Sequence, residues 1–192
     1  MSNSVQILAF AGSTRRDSWN KKLISIAAQG ARTAEAQVTL IDLKDYPLPL
    51  YDGDLEAQAG VPANGLKLKH LFKSHQGLLL ACPEYNSSIS AVLKNTIDWV
   101  SRPAPNETSL EAFKGKVITL MSASPGALGG LRGLVHVRAI FGNLGCIVLP
   151  AQQAVSKARE AFDESGQLKD PATRQRVENL GVQLAQFLKR LT

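Results

Sequence analysis

With 192 residues, 44% of them hydrophobic and 20% charged, the chain has the size and composition of a single globular domain, 1–192, with a sizeable core. Its 22 Lys and Arg outnumber its 16 Asp and Glu, leaving a net charge of +6, but the basic residues are scattered and aromatics make up only 6%. That pattern disfavours a nucleic-acid surface, which needs clustered cations and stacking rings, and fits a solvated basic surface with one anion site.

The opening stretch "MSNSVQILAFAGS" has a short apolar run but neither a basic n-region nor a small-residue cleavage site, so it reads as a strand rather than a signal peptide. No apolar run approaches the roughly 18 residues of a membrane span. Cys82 and Cys146 sit inside apolar runs and read as buried small hydrophobes rather than a disulfide framework. A cytoplasmic protein that binds neither membrane nor nucleic acid is the expectation.

In chain order, the nearly continuous apolar run Val5–Ala11 predicts a parallel strand buried on both faces. Leu23–Arg32 has helical spacing, with Ser18 or Asn20 as N-cap. Gln37–Ile41 is a second strand. Residues 42–65 place Pro and Gly at turn positions and read as a long surface loop with a binding or interface role. A helix over Leu66–Lys73 precedes strand three, Gly77–Cys82, and a helix over Ile89–Ser101 follows it. Strand four is Lys116–Met121, then come a Gly-rich loop, a helix over Leu131–Leu144 and strand five, Cys146–Pro150. Residues 154–170 show no clear pattern, and the last helix is Pro171–Leu191, with Pro at its first turn. Five strand–helix alternations predict a doubly wound α/β sheet, ordered either as in dinucleotide-binding folds or 2-1-3-4-5 as in flavodoxin-like ones.

Ligands of such sheets bind beyond the carboxyl ends of the strands, where the strand order reverses. After strand one comes "GSTRRDSWN", residues 12–20. Ser13, Thr14 and Ser18 offer hydroxyls, Asn20 an amide, Arg15 or Arg16 a full charge, and the helix start adds unpaired N–H groups and about half a positive charge. The stretch lacks the Lys of a nucleotide-triphosphate loop, the spacing of a dinucleotide fingerprint and the Cys of a phosphatase. It suits a terminal monophosphate held statically; the plainer alternative is a polar turn that caps a helix.

After strand three, "PEYNSSIS" presents Tyr85, Asn86, Ser87 and Ser88 behind a Pro-fixed turn, able to lie along the polar edge of a flat heterocycle or simply to cap the next helix. After strand four, "SASPGALGGLRG" holds four glycines in twelve residues, as close backbone approach or positive φ requires, with Ser122 and Ser124 as donors across the crevice. Its plain alternative is a tight turn into a helix.

Taken together, these stretches resemble the NADPH-dependent FMN reductase family, the flavodoxin-like quinone, chromate and azo-dye reductases. "GSTRRDSWN" is similar to the family's phosphate loop at every fixed position, "PEYN" with "LKNTIDW" to its flavin loop and following helix, and "SASPGALGGLR" to its third loop. The chain departs at Ser90, Ala91 and Thr96, where many relatives have Pro, Gly and Ala; a positive φ at Ala91 would be strained. The resemblance implies the 2-1-3-4-5 order, FMN phosphate held by Ser13, Arg15, Ser18 and Asn20, and an isoalloxazine edge met by Pro83, Glu84, Tyr85, Asn86 and Ser87. It implies hydride from NADPH or NADH passed through flavin N5 to a small-molecule acceptor by a ping-pong mechanism, in a homodimer or homotetramer.

The flavin carries the chemistry in such an enzyme, so no catalytic side chain is expected. His70, His75 and His136 lie outside the three loops and read as structural or solvated. Arg102, ending the helix after strand three, is expected near the crevice mouth, drawing in anionic acceptors; alternatively it only complements the helix dipole. An electron carrier without turnover of its own is the competing class, disfavoured because such carriers tend to be acidic.

Overall fold

The computed structural model describes residues 4–191. The chain runs β1 (Gln6–Ala11), α1 (Trp19–Thr33), β2 (Gln37–Asp42), α2 (Gly53–Ala59), α3 (Ala63–Ser74), β3 (Gly77–Ala81), β4 (Glu84–Tyr85), β5 (Ser88–Ile89), α4 (Ala91–Ser101), β6 (Val117–Ala123), α5 (Leu131–Asn143), β7 (Ile147–Val155), α6 (Ala158–Ala161) and α7 (Pro171–Lys189). Five strands form one parallel sheet in the order β2-β1-β3-β6-β7, which is 2-1-3-4-5 when only its own strands are counted. The order reverses between β1 and β3, as the flavodoxin-like alternative requires.

The central strands β3 and β6 are buried along their whole length, which explains why β3 is an unbroken apolar run and why β6 is apolar apart from Thr119 and Ser122. Alternate residues feed two cores. Ile7, Ala9, Leu79 and Met121 pack with α1 and α7, while Leu8, Phe10, Leu78 and Leu120 pack with α3, α4 and α5. On the first face α1 and α7 interlock through Gly30 and Gly181. A Cβ on Gly30 would lie 2.0 Å from the Glu178 carbonyl oxygen, and one on Gly181 would lie 2.0 Å from that of Ala27.

Register aligns the carboxyl ends of the inner strands: Ala11 pairs with Ala81, and Ala81 with Met121. The loops after β1, β3 and β6 therefore leave from one edge.

Two predicted elements differ in the structure. Residues 42–65 are not an open loop: Asp42 caps a single 3-10 turn over Leu43–Asp45, Asp52 caps α2, and α3 begins at Ala63. The remaining turns are pinned to α4, where the Pro49 carbonyl accepts from Asn95 Nδ2 and Trp99 Nε1, both at 2.8 Å. The fifth sheet strand also continues to Val155 rather than ending at Pro150. The register shifts opposite Thr119, so Leu149, Pro150 and Ala151 bulge from an edge strand, where a missing N–H is tolerated. Arg138 of α5 donates to the Val148 and Leu149 carbonyls and steadies the bulge.

Candidate active site

A cavity of about 290 Å³ lies at the carboxyl edge of the sheet, lined by Ser13, Arg15, Ser18, Asn20, Pro83, Glu84 and Tyr85, with Trp19, Ala123, Ser124, Pro125 and Arg159 completing its wall. Ser13 and Ser18 are buried, at 7% and 4% exposure. The Ser13 Oγ accepts from the Arg15 N–H at 3.3 Å, which leaves its own proton free. Ser18 lines the cavity as the N-cap of α1 but makes no side-chain cap bond, and its hydroxyl has no partner among the described residues. The N–H groups of Trp19 and Asn20, in the first turn of this helix, find no acceptor among the described residues. Two hydroxyls, two backbone donors, a helix N-terminus and the Arg15 guanidinium form a donor set that suits an oxyanion.

Arg15 rests over the Trp19 ring, 5.6 Å from its centroid, with Nη2 donating to the Asp17 carbonyl. The Asp17 carboxylate at the rim is held below the usual range by hydrogen bonding and attraction to Lys22, so it is ionised and already paired. Asn20 contributes differently from the expectation. Its Nδ2 donates to the Ala123 carbonyl at 2.9 Å and its Oδ1 accepts from the Ala123 N–H at 3.0 Å, tying α1 to the end of β6. One Nδ2 hydrogen is left for a ligand.

The loop after β3 forms a small antiparallel hairpin of β4 and β5. Its turn residues Asn86 and Ser87 have φ of 50° and 63°, a left-handed pair that small polar side chains tolerate. Positive φ thus falls there and not at Ala91, which simply opens α4. Ser90 caps that helix, accepting from the Leu93 N–H at 3.3 Å, and donates to the Gly12 carbonyl at 2.6 Å. The hairpin is braced by α5: Glu84 Oε2 accepts from the Gly133 N–H at 2.9 Å, and Arg132 Nη1 donates to Ser87 Oγ at 3.2 Å. His136 Nδ1 meets Ser88 Oγ at 2.9 Å on the same helix. Asn86 and Ser87 are on the hairpin turn beyond the cavity wall, which Pro83, Glu84 and Tyr85 line.

Two candidates lie elsewhere. Ser122 is fully buried and donates to the Cys82 carbonyl at 2.7 Å, beneath the cavity rather than across it. Gly130, at φ 93°, closes over it, and a Cβ there would stand 1.9 Å from the Ser122 hydroxyl. Ser122 is still inside β6, whereas Ser124, just past the end of the strand, does line the cavity. Arg102 is at the far end of α4, an 11-residue helix that begins at the cavity edge, so roughly 16 Å of helix separates them. There it pairs with Glu56 at 3.0 Å and stacks over Tyr51 at 5.8 Å. It holds α2 against α4 and is not at the crevice mouth of this chain.

Arg159 went unnoticed in the sequence because residues 154–170 show no periodicity. The available signal was position: the segment follows the fifth sheet strand at the same edge. Neither thiol is poised for chemistry. Burial pushes the Cys82 thiol far up and that of Cys146 up to about 12, which keeps both protonated.

A cavity with an oxyanion cup at one end and a backbone hairpin at the other fits a flat ring carrying a phosphate tail. Comparisons with known proteins agree. The family model described as NADPH-dependent FMN reductase matches residues 5–160. An NAD(P)H-dependent FMN reductase of Pseudomonas aeruginosa is 32% identical over 100% of this chain and 99% of its own length. A quinone reductase of Pseudomonas putida is 32% identical over 88% of each chain. Among solved structures, the flavoenzyme NAD(P)H:(acceptor) oxidoreductase FerB of Paracoccus denitrificans superposes with a TM-score of 0.81 at 26% identity, covering 97% of this chain and 98% of its own. An archaeal flavodoxin, at 11% identity and a TM-score of 0.61 over 96% of this chain and 99% of its own, shares the fold. Matched along nearly its whole length in both sequence and fold, the chain belongs to the NADPH-dependent FMN reductase family, oxidoreductases whose cofactors are FMN and NAD(P)H.

Proposed function

We propose that the protein is an FMN-dependent NAD(P)H oxidoreductase that reduces a quinone or a similar small acceptor by a ping-pong mechanism. The observation that carries this is the single cavity into which the loops after β1, β3 and β6 all open. In it, Ser13, Arg15, Ser18 and the α1 N-terminus would hold the phosphate, with the remaining Asn20 hydrogen as a further donor. Pro83, Glu84 and Tyr85 would border the ring, with the Asn86–Ser87 turn at its rim. The bound flavin would supply the redox chemistry, accepting hydride at N5 and passing electrons on. The chain's own residues anchor the tail, set the ring against the hairpin and leave one face open.

One open face has to serve donor and acceptor in turn, which is why ping-pong kinetics are expected. Double-reciprocal plots at several quinone concentrations should be parallel. Intersecting lines with evidence of a ternary complex would sink the mechanism, and failure of anaerobic NADPH to bleach the bound flavin would favour a carrier without turnover. The quinone assignment leans on the names of the relatives. A homo-oligomer and a cytoplasmic address belong to the same proposal. The former is supported by Leu131 and Val135 of α5, which are exposed at 42% and 60%, while the opposite face of that helix packs in the core.

A further inference from the structure

The cavity has a second arginine in its wall. Arg159, on α6, lines the cup together with Ser13, Arg15 and Ser18, and also lines the adjoining groove of about 470 Å³ formed by Trp19, Lys22, Phe162, Asp163, Glu164 and Lys169. Its side chain is exposed and makes no hydrogen bond or ion pair among the described residues. Among the neighbouring cations, Lys21 pairs with Asp42 at 2.5 Å and Lys22 with Asp17 at 2.6 Å, while Lys169 lines the groove but not the cup. Of the carboxylates nearby, Asp163 already accepts from Ser165 Oγ and the Gln167 N–H, and Glu84 from the Gly133 N–H, while Glu164 lines the groove but not the cup.

The backbone carrying Arg159 is fixed. Lys157 takes a left-handed φ of 47°, which swings the chain from β7 into α6. The Ala158 N–H then bonds the Ser124 carbonyl at 3.1 Å and the Lys157 N–H that of Gly126 at 3.3 Å, lacing this segment to the loop after β6. Ala158 and Phe162 are buried in the core on either side. The unpaired Arg159 side chain is thus carried on a fixed backbone at the cup, which Ser18, a buried residue whose hydroxyl has no partner among the described residues, also lines.

Charge matching gives it a task. A phosphate monoester carries about −1.5 to −2 near neutral pH. Arg15 supplies one positive charge and the α1 N-terminus about half of another. We infer that Arg159 is the second cation of the cup, completing recognition of the doubly charged phosphate and making the protein selective for FMN over singly charged or uncharged flavins. This inference rests on the flavin reading proposed above.

The test is flavin titration by fluorescence quenching. It uses the wild type, Arg159→Ala and Arg159→Lys, with FMN, riboflavin and riboflavin 5′-sulfate, a singly charged ester of similar shape. Arg159→Ala should weaken FMN about tenfold or more, weaken the sulfate less and leave riboflavin within about twofold. Arg159→Lys should recover part of the loss through its charge. If the wild type prefers FMN strongly and Arg159→Ala binds it equally well, the role given to Arg159 is wrong while the flavin reading stands. An equal loss for all three flavins would mark a structural role and overturn the inference as well. A wild type that does not distinguish FMN from riboflavin would bring down the phosphate cup itself.

Discussion

The Asn20 amide exchanges two hydrogen bonds with the backbone of Ala123, 103 residues further along the chain. The pair fastens the first turn of α1 to the carboxyl end of β6, so the phosphate end of the cavity and its far wall move as one unit. Asn20→Ala would leave both Ala123 backbone groups without that partner at a buried site. A loss of about 1–3 kcal/mol in stability is expected, read by urea unfolding of the flavin-free protein. An unchanged midpoint would show that the clasp contributes nothing.

Arg15→Ala should weaken FMN about ten- to hundredfold, the usual consequence of losing a charge-assisted bond. Riboflavin should bind almost as before. Arg16→Ala, one position along and exposed, should do much less. Trp19, whose ring lies under the Arg15 guanidinium, provides an intrinsic fluorescence signal for the titration. Equal weakening of both ligands by Arg15→Ala would contradict a phosphate contact.

Ser90 joins two loops that meet different parts of the cavity. Its hydroxyl donates to the Gly12 carbonyl and accepts from the Leu93 N–H, linking the start of the β1 loop to the start of α4. Ser90→Ala should cost about 0.5–2 kcal/mol of stability through the lost cap and speed FMN dissociation in stopped flow. If stability falls and the dissociation rate is unchanged, the residue is only a helix cap.

His75 makes stability depend on pH. Its Nδ1 donates to the Leu71 carbonyl at 2.6 Å, so the neutral ring carries its proton there and Nε2 accepts from the Thr39 hydroxyl at 2.8 Å. Burial, the largest cause, holds its pKa below the ordinary value, with the charges of Lys116 and His70 adding to the effect. The unfolded chain therefore binds the proton more readily than the folded one. This contribution is fully present above about pH 6.5 and is lost as pH falls toward the folded-state pKa. Urea midpoints measured from pH 8 to 5 should decline on the acid side for the wild type and be flatter there for His75→Gln. Matching slopes would assign the acid loss to other groups.

Local sequence determined much of this protein. The run from Val5 to Ala11 must be a buried strand, because six of its seven residues are apolar, five of them in succession from Ile7, and cannot leave one face wet. "GSTRRDSWN" between a strand and a helix concentrates donors at one strand end, so the sequence already showed which groups the cavity would have available there. Asp42, Asp52 and Ser90 are also local, since each caps the turn or helix that follows it. The turns around α2 were misjudged because they are fixed to α4 by Asn95 and Trp99, residues more than 40 positions away.

What only the tertiary structure decided is where side chains point once strands pair and helices pack. Ser122 and Ser124 look equivalent in sequence, but β6 ends between them, and the close approach of Gly130 buries the first while the second lines the cavity. Arg102 is separated from the site by the length of α4 and drawn to Glu56 of α2. Arg159 sits on the single-turn α6, too short to show a period in sequence, and reaches the cup because β7 runs past its bulge to the same sheet edge. Local patterns specify which groups are available, since propensity and capping act over a few residues. Which of those groups converge is set by strand order, register and helix length, which depend on contacts distant in sequence.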